Sequence, residues 1–273
     1  MSTPKIHKLL AGYLRAQAPY FSLTQAPRKP NVPQTRVMDT RGGFMQMETL
    51  REVYERMAAA ARRAGRNPQT VRLVAVTKTQ PPQEIDTALA AGILCIGENR
   101  VQEAETKLPL LTHPVPQFHF IGHLQTNKVN KLMALRPALI HSLDSPDTAA
   151  KIHDWLAQHN ATQDVLVQVN TSGEASKSGV EPGEAMAFCR SLSVWPRLRL
   201  RGLMTIGALT TDSERIRQCF RLLRALRDEL TTTGYTEATE LSMGMSGDFE
   251  LAIEEGATLV RLGSVLFGAR HYV

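Results

Sequence analysis

Lys78 directly follows the apolar run Val74-Ala75-Val76-Thr77 and precedes Thr79-Gln80-Pro81. A lysine whose stem leaves a buried strand has a partly desolvated amine, which lowers its pKa and favours the neutral, nucleophilic form. Such an amine can form an imine with a carbonyl compound. The same placement also suits a lysine that snorkels to solvent, so Lys78 alone does not decide. Near the other end of the chain, LSMGMSGDFELAIEEGATLVRLGSVLFGAR at 241–270 sets Ser242, Gly244, Ser246 and Gly247 before a helical segment. Arg261, Gly263 and Ser264 then close an apolar run. Hydroxyls and glycines at two such loops are either ordinary turn chemistry or a cradle that brings backbone N–H groups up to a phosphate.

The elements that must position these groups alternate in type. Leu50, Val53, Met57 and Ala61 mark one face of a first helix, which Gly65 and Pro68 end. Eight short apolar runs follow, at 71–76, 93–96, 118–121, 138–141, 165–169, 198–204, 239–241 and 258–262. They are too short for helices and apolar enough for strands buried on both faces. Segments with helical spacing lie between them, among them 145–159, 182–193 and 212–231. Strand–helix alternation implies parallel strands, and eight such units over residues 48–273 predict a single α/β domain, a (β/α)₈ TIM barrel. A doubly wound open sheet is the alternative, because its strands look the same locally. No G-x-G-x-x-G follows the first strand, which argues against a dinucleotide site.

In such a barrel the active site lies at the C-terminal ends of the strands, and polar groups gather there in this sequence. Strand one ends at Lys78, strand two at Asn99, strand three at His123, strand seven at Ser242 and strand eight at Arg261-Leu262-Gly263-Ser264. Barrels often hold phosphate in the loops after strands seven and eight, where the cradle falls. A helix is expected to begin near Gly247. A Schiff-base lysine on one side and a phosphate site on the other suit a cofactor that is both aldehyde and phosphate ester, pyridoxal 5′-phosphate. Arg261 could face its pyridine nitrogen, where a donor-only side chain would keep that nitrogen unprotonated, or it could pair with a carboxylate. His123 could reach the pocket, whereas His119 reads as a core histidine.

Composition narrows the classes further. The chain is 42% apolar and 21% charged, as expected of a globular protein with a large core. Its +6 charge arises at one end. Residues 1–47 carry seven Lys or Arg and a single acid, Asp39, so the 25 basic and 25 acidic residues beyond them balance. A neutral body lacks the basic face that nucleic-acid binding requires. The basic, proline-containing extension 1–47 reads as disordered, either as a targeting peptide or as sequence upstream of a true start at Met45 or Met47. No run is long enough to span a membrane. Cys95, Cys189 and Cys219 are unpaired by spacing and fit a reducing, cytoplasmic setting. No metal-ligand spacing is present.

Taken in order, LVAVTKTQP, IGENRVQE, FHFIGHLQTNK, IHSLDS, VLVQVNTSGEASKSGV, LRGLMTIG and the stretch at 241–270 closely resemble the pyridoxal phosphate homeostasis proteins, similar to a stand-alone alanine racemase N-terminal barrel. The resemblance covers roughly 48–270. It implies that Lys78 is the cofactor-linked lysine, that Ser242, Gly263 and Ser264 hold the phosphate, and that Arg261 meets the ring nitrogen. Asn99 would line the same mouth. Lys177 would be a second lysine near the pocket, a relay or secondary acceptor, with Met204, Gly244 and His123 as further pocket residues. Where many members have a second lysine just after the first, this chain has Gln80.

Three functions compete on these features. The first is a monomeric, non-catalytic carrier that binds the cofactor and delivers it to apo-enzymes. An amino-acid racemase is the second. It needs an acid or base on each face of the substrate carbon, and the chain stops at Val273 without the further domain that supplies the second group in alanine racemase. The third is a Schiff-base aldolase acting on a sugar phosphate. The carrier is the expected one.

Overall fold

The computed structural model describes residues 47–268. All of the extension expected at 1–47 except Met47 lies outside the described residues. The first helix, α1 (Met47–Arg63), buries Leu50, Val53, Met57 and Ala61 on the face marked by their spacing. It is followed by β1 (Arg72–Val76), α2 (Pro82–Ala90), β2 (Cys95–Glu98), α3 (Val101–Lys107), β3 (Gln117–Phe120), α4 (Val129–Ala134) and β4 (Leu139–Leu143). The second half comprises α5 (Pro146–Gln158), β5 (Gln163–Gln168), α6 (Pro182–Ser191), β6 (Leu198–Met204), α7 (Ser213–Thr232), β7 (Glu240–Ser242), α8 (Phe249–Glu254), β8 (Leu259–Leu262) and α9 (Ser264–Phe267).

Every strand runs parallel to its sequence neighbour, and β8 pairs back with β1 to close the ring. The expected (β/α)₈ barrel is therefore what forms. An open sheet is ruled out, because it would leave two edge strands and here all eight strands are paired on both sides. At the seam, Val74 lies opposite Arg261 and Ala75 opposite Leu262. Chain-local signals set several helix starts. Pro82, Pro146 and Pro182 each open a helix, where a missing N–H costs nothing. Ser145 accepts from the Thr148 N–H, and Asp212 accepts from those of Glu214 and Arg215.

Inside the barrel, Met204 packs with Val74, Cys95, Leu139, Leu166 and Leu259, contributed by six different strands. Met204 is fully buried in this cluster, so it is core rather than pocket wall. On the outside, α1 lies along α8. Arg56 pairs with Glu250 at 2.9 Å and Arg63 with Glu254 at 2.7 Å, and the Arg56 guanidinium sits 4.7 Å over the Phe249 ring. The helix expected near Gly247 begins only at Phe249, because the Asp248 carboxylate takes the Met245 N–H at 2.6 Å and closes a turn first. Among the described residues no helix is long and apolar enough to cross a membrane.

Candidate functional site

A cavity of about 650 Å³ opens at the C-terminal end of the strands. Lys78, Asn99, Gly263 and Ser264 line it, with the buried Arg261 at its floor and the exposed His123 and partly exposed Lys177 at its rim. Ring closure creates this arrangement. Because β1 pairs with β8, Gly263 comes beside Val76, where an added Cβ would stand 3.5 Å from the valine side chain. The amine near the start of the barrel and the small residues at its end are thus neighbours. Gly122 completes the wall near Asn99, since a Cβ at this position would fall 2.0 Å from the Asn99 carbonyl oxygen. Only glycine permits that approach.

Arg261 is nearly fully buried, and its bonds explain its orientation. Nη1 donates to Ser242 Oγ at 2.6 Å and Nη2 to the Thr205 carbonyl at 2.8 Å. Its backbone N–H donates to the Gly244 carbonyl at 3.0 Å. Burial pushes the guanidinium down to about 10 against the pull of the Asp248 carboxylate, and it remains a cation at neutral pH. Behind Ser242 the network continues to His141 Nδ1 at 2.8 Å, and from His141 Nε2 to His119 Nδ1 at 2.9 Å. Both imidazoles are buried. Burial pushes His119 down to about 3 with help from Arg72, and it holds His141 well below the ordinary histidine range, together with His119, Arg261 and Arg72. Arginine can only donate. The pattern that uses every donor therefore has Ser242 donating to His141 Nδ1 and His141 Nε2–H donating to His119.

Two of the residues expected in the pocket, Ser242 and Gly244, lie outside the cavity. Ser242, the last residue of β7, turns its hydroxyl into the barrel beneath Arg261 and is fully buried. It orients the arginine and does not face the cavity. Ser246, four residues on, is the serine of that loop which lines it. Its hydroxyl accepts from the N–H groups of Gly263 and Val265, each at 3.3 Å, and ties the loop after β7 to the loop after β8. Gly244 is also set back, with a φ of 94° and its Cβ position 2.6 Å from that of Ala252. Lys177 reaches the rim with Nζ donating to the Gly207 carbonyl at 2.7 Å and to Glu174 Oε1 at 3.0 Å. His123 is half exposed there, 3.8 Å from Asp144, whose carboxyl burial pushes up.

An amine, a cationic floor and a Ser/Gly cradle can hold a molecule with an aldehyde at one end and a phosphate at the other. Asn99 offers a further handle, because its side-chain oxygen is buried without a hydrogen-bond partner and a ligand hydroxyl would supply one. Among the described residues no group of three or more His, Cys, Asp or Glu is placed to hold a metal ion.

Comparison with known proteins agrees with this architecture. Residues 49–271 match the family model described as alanine racemase, N-terminal domain. The pyridoxal phosphate homeostasis protein of Aquifex aeolicus is 45% identical over 225 residues, covering 82% of this chain and 98% of its own length. Among solved structures, an unknown protein from Bifidobacterium adolescentis is 40% identical with a TM-score of 0.77, covering 81% of this chain and 94% of that one. PipY of Synechococcus elongatus, solved with PLP bound, is 35% identical with a TM-score of 0.68, covering 79% of this chain and 100% of that one. The chain belongs to the pyridoxal phosphate homeostasis protein family, built on the barrel of the alanine racemase N-terminal domain.

Proposed function

We propose that this chain binds pyridoxal 5′-phosphate, attached through the Lys78 amine, and serves the intracellular supply of that cofactor, holding it and handing it to apo-enzymes. The observation that carries this reading is the gathering of Lys78, Arg261 and the Ser246–Gly263–Ser264 cradle around one cavity. A relative named for pyridoxal phosphate homeostasis and a solved neighbour with PLP bound support it. When bound, the cofactor supplies an aldehyde and an electron-withdrawing ring. Lys78 is the amine that takes the aldehyde. Ser246 and the backbone of Gly263 and Ser264 would hold the phosphate, and the buried amide oxygen of Asn99 could take a hydroxyl of the cofactor as its donor. Arg261, a donor only, would leave the ring nitrogen it met unprotonated and so restrain the ring as an electron sink. That restraint favours holding the cofactor over turning over amino acids. Lys177, on the same cavity, is a second amine positioned to receive the aldehyde in transit.

An absorbance spectrum of the purified protein, before and after borohydride, tests the reading. A visible band that disappears on reduction is expected, with Lys78 as the modified residue on peptide mapping. Lys78→Ala should abolish the band. A full band in that variant without modification of Lys177 overturns the site, and robust racemisation of any amino acid overturns the carrier role.

A further inference from the structure

Lys78 lies between two threonines, and one linked cluster of three charged side chains, Glu98, Glu103 and Lys107, reaches both. Thr77 donates its hydroxyl to Glu98 Oε1 at 2.7 Å, and its carbonyl accepts from Lys107 Nζ at 3.0 Å. On the far side of Lys78, the Thr79 N–H donates to Glu103 Oε2 at 2.9 Å. Lys107 Nζ completes the set, donating to Glu103 Oε2 at 2.8 Å and to Glu98 Oε1 at 3.2 Å. Thr79 has a backbone that needs holding. Its φ is 64°, in the left-handed region that a β-branched residue avoids. The conformation at 77–79 sets the direction of the Lys78 Cα–Cβ bond and hence where its amine can reach.

Stability alone does not explain how this cluster is arranged. The Lys107 side chain is 13% exposed and that of Glu98 is 1% exposed, yet Glu98 Oε2 is left without a hydrogen-bond partner. Three bonds of the cluster go instead to the residues on either side of Lys78. Lys107 is also the cation shared by the two carboxylates, so its removal would loosen both flanks together.

We propose that Lys107, acting through Glu103 and Glu98, is a positioning residue that clamps residues 77–79 with Thr79 in its left-handed conformation and aims the Lys78 amine into the cavity. The inference rests on the cofactor reading above. Lys78 nitrogen bonds to the aldehyde carbon, and its two departing protons leave with the aldehyde oxygen as water. Aim therefore matters for this linkage and not for the phosphate contacts.

The test uses the full-length chain and two probes, pyridoxal 5′-phosphate and pyridoxine 5′-phosphate, whose alcohol cannot link to an amine. In Lys107→Met the linkage, read from the visible band and from borohydride trapping at Lys78, should weaken about tenfold. Affinity for the alcohol should stay within about twofold. Adding Thr79→Asn to Lys107→Met should recover most of the loss, because asparagine tolerates the left-handed region. If Lys107→Met does not fold, Glu103→Ala removes the acceptor of the Thr79 N–H and carries the same expectation. Unchanged linkage in these variants, equal loss of both probes, or no recovery with Thr79→Asn overturns the clamp. A wild-type protein that binds neither probe overturns the cofactor reading itself, and the clamp with it.

Discussion

Arg261 on β8 places Nη1 2.6 Å from the hydroxyl of Ser242 on β7, so the cation at the cavity floor is held by a side chain that never reaches the cavity. Ser242→Ala would leave Arg261 Nη1 and His141 Nδ1 short of a partner in a fully buried setting. Such a loss costs about 1–3 kcal/mol. A lower urea midpoint is expected, together with a shifted band for the bound cofactor as Arg261 loses its orientation. Weaker phosphate binding at unchanged stability would instead return Ser242 to the phosphate site.

Ser246 is the serine expected to matter for the phosphate. Ser246→Ala removes the acceptor shared by the Gly263 and Val265 N–H groups and a hydroxyl at the cavity wall. Affinity for pyridoxal 5′-phosphate should fall about tenfold, the equivalent of one lost hydrogen bond of about 1–1.5 kcal/mol. Pyridoxal, which has no phosphate, should bind the variant and the wild type alike. A titration of both ligands decides it.

The buried imidazoles make stability depend on pH. His119 has a folded pKa of about 3, pushed down by burial and by Arg72, against about 6.5 for an unfolded histidine. The unfolded chain therefore binds the extra proton below 6.5, and the contribution of neutral His119 is fully present above that value. It is lost as pH falls through 6.5 towards 3, with a slope of up to about 1.4 kcal/mol per pH unit. His119→Gln keeps an acceptor for His141 Nε2–H and does not titrate. Between pH 7 and pH 5 the wild type should lose stability relative to this variant in urea titrations. Carboxylates raised by burial, such as Glu98 and Asp248, are common to both proteins and cancel.

Gly244→Ala should destabilise through the backbone. Its φ of 94° is strained for alanine, and the new methyl would stand 2.6 Å from Ala252 Cβ. The first effect costs about 1–2 kcal/mol, and the contact adds to it. A clear drop in Tm is expected, while the folded variant should retain the spectrum of the bound cofactor, because Gly244 meets Arg261 only through its carbonyl.

The barrel was legible because its signals are local. The spacing of Leu50, Val53, Met57 and Ala61, the β-branched run at β1 and the opening prolines of α2, α5 and α6 each act within a few residues. The ordered motifs carried the family for the same reason. Side-chain direction at strand ends was not legible in this way. Ser242 and Met204 each close a strand, and a shift of one residue decides between pocket and core. The Lys107 contacts were not legible because one reaches Thr77, thirty residues earlier, although the Glu103–Lys107 spacing of four marks an ion pair on one helix face.

Pairing of β1 with β8 has a consequence for when the cofactor can be captured. A chain still leaving the ribosome with β8 unmade has the Lys78 amine but neither the guanidinium nor the Gly263–Ser264 backbone. The site comes into being when β8 closes the ring. Any ligand that grips it therefore favours the closed ring over every partly assembled state, and loading doubles as a record that β8 has docked against β1.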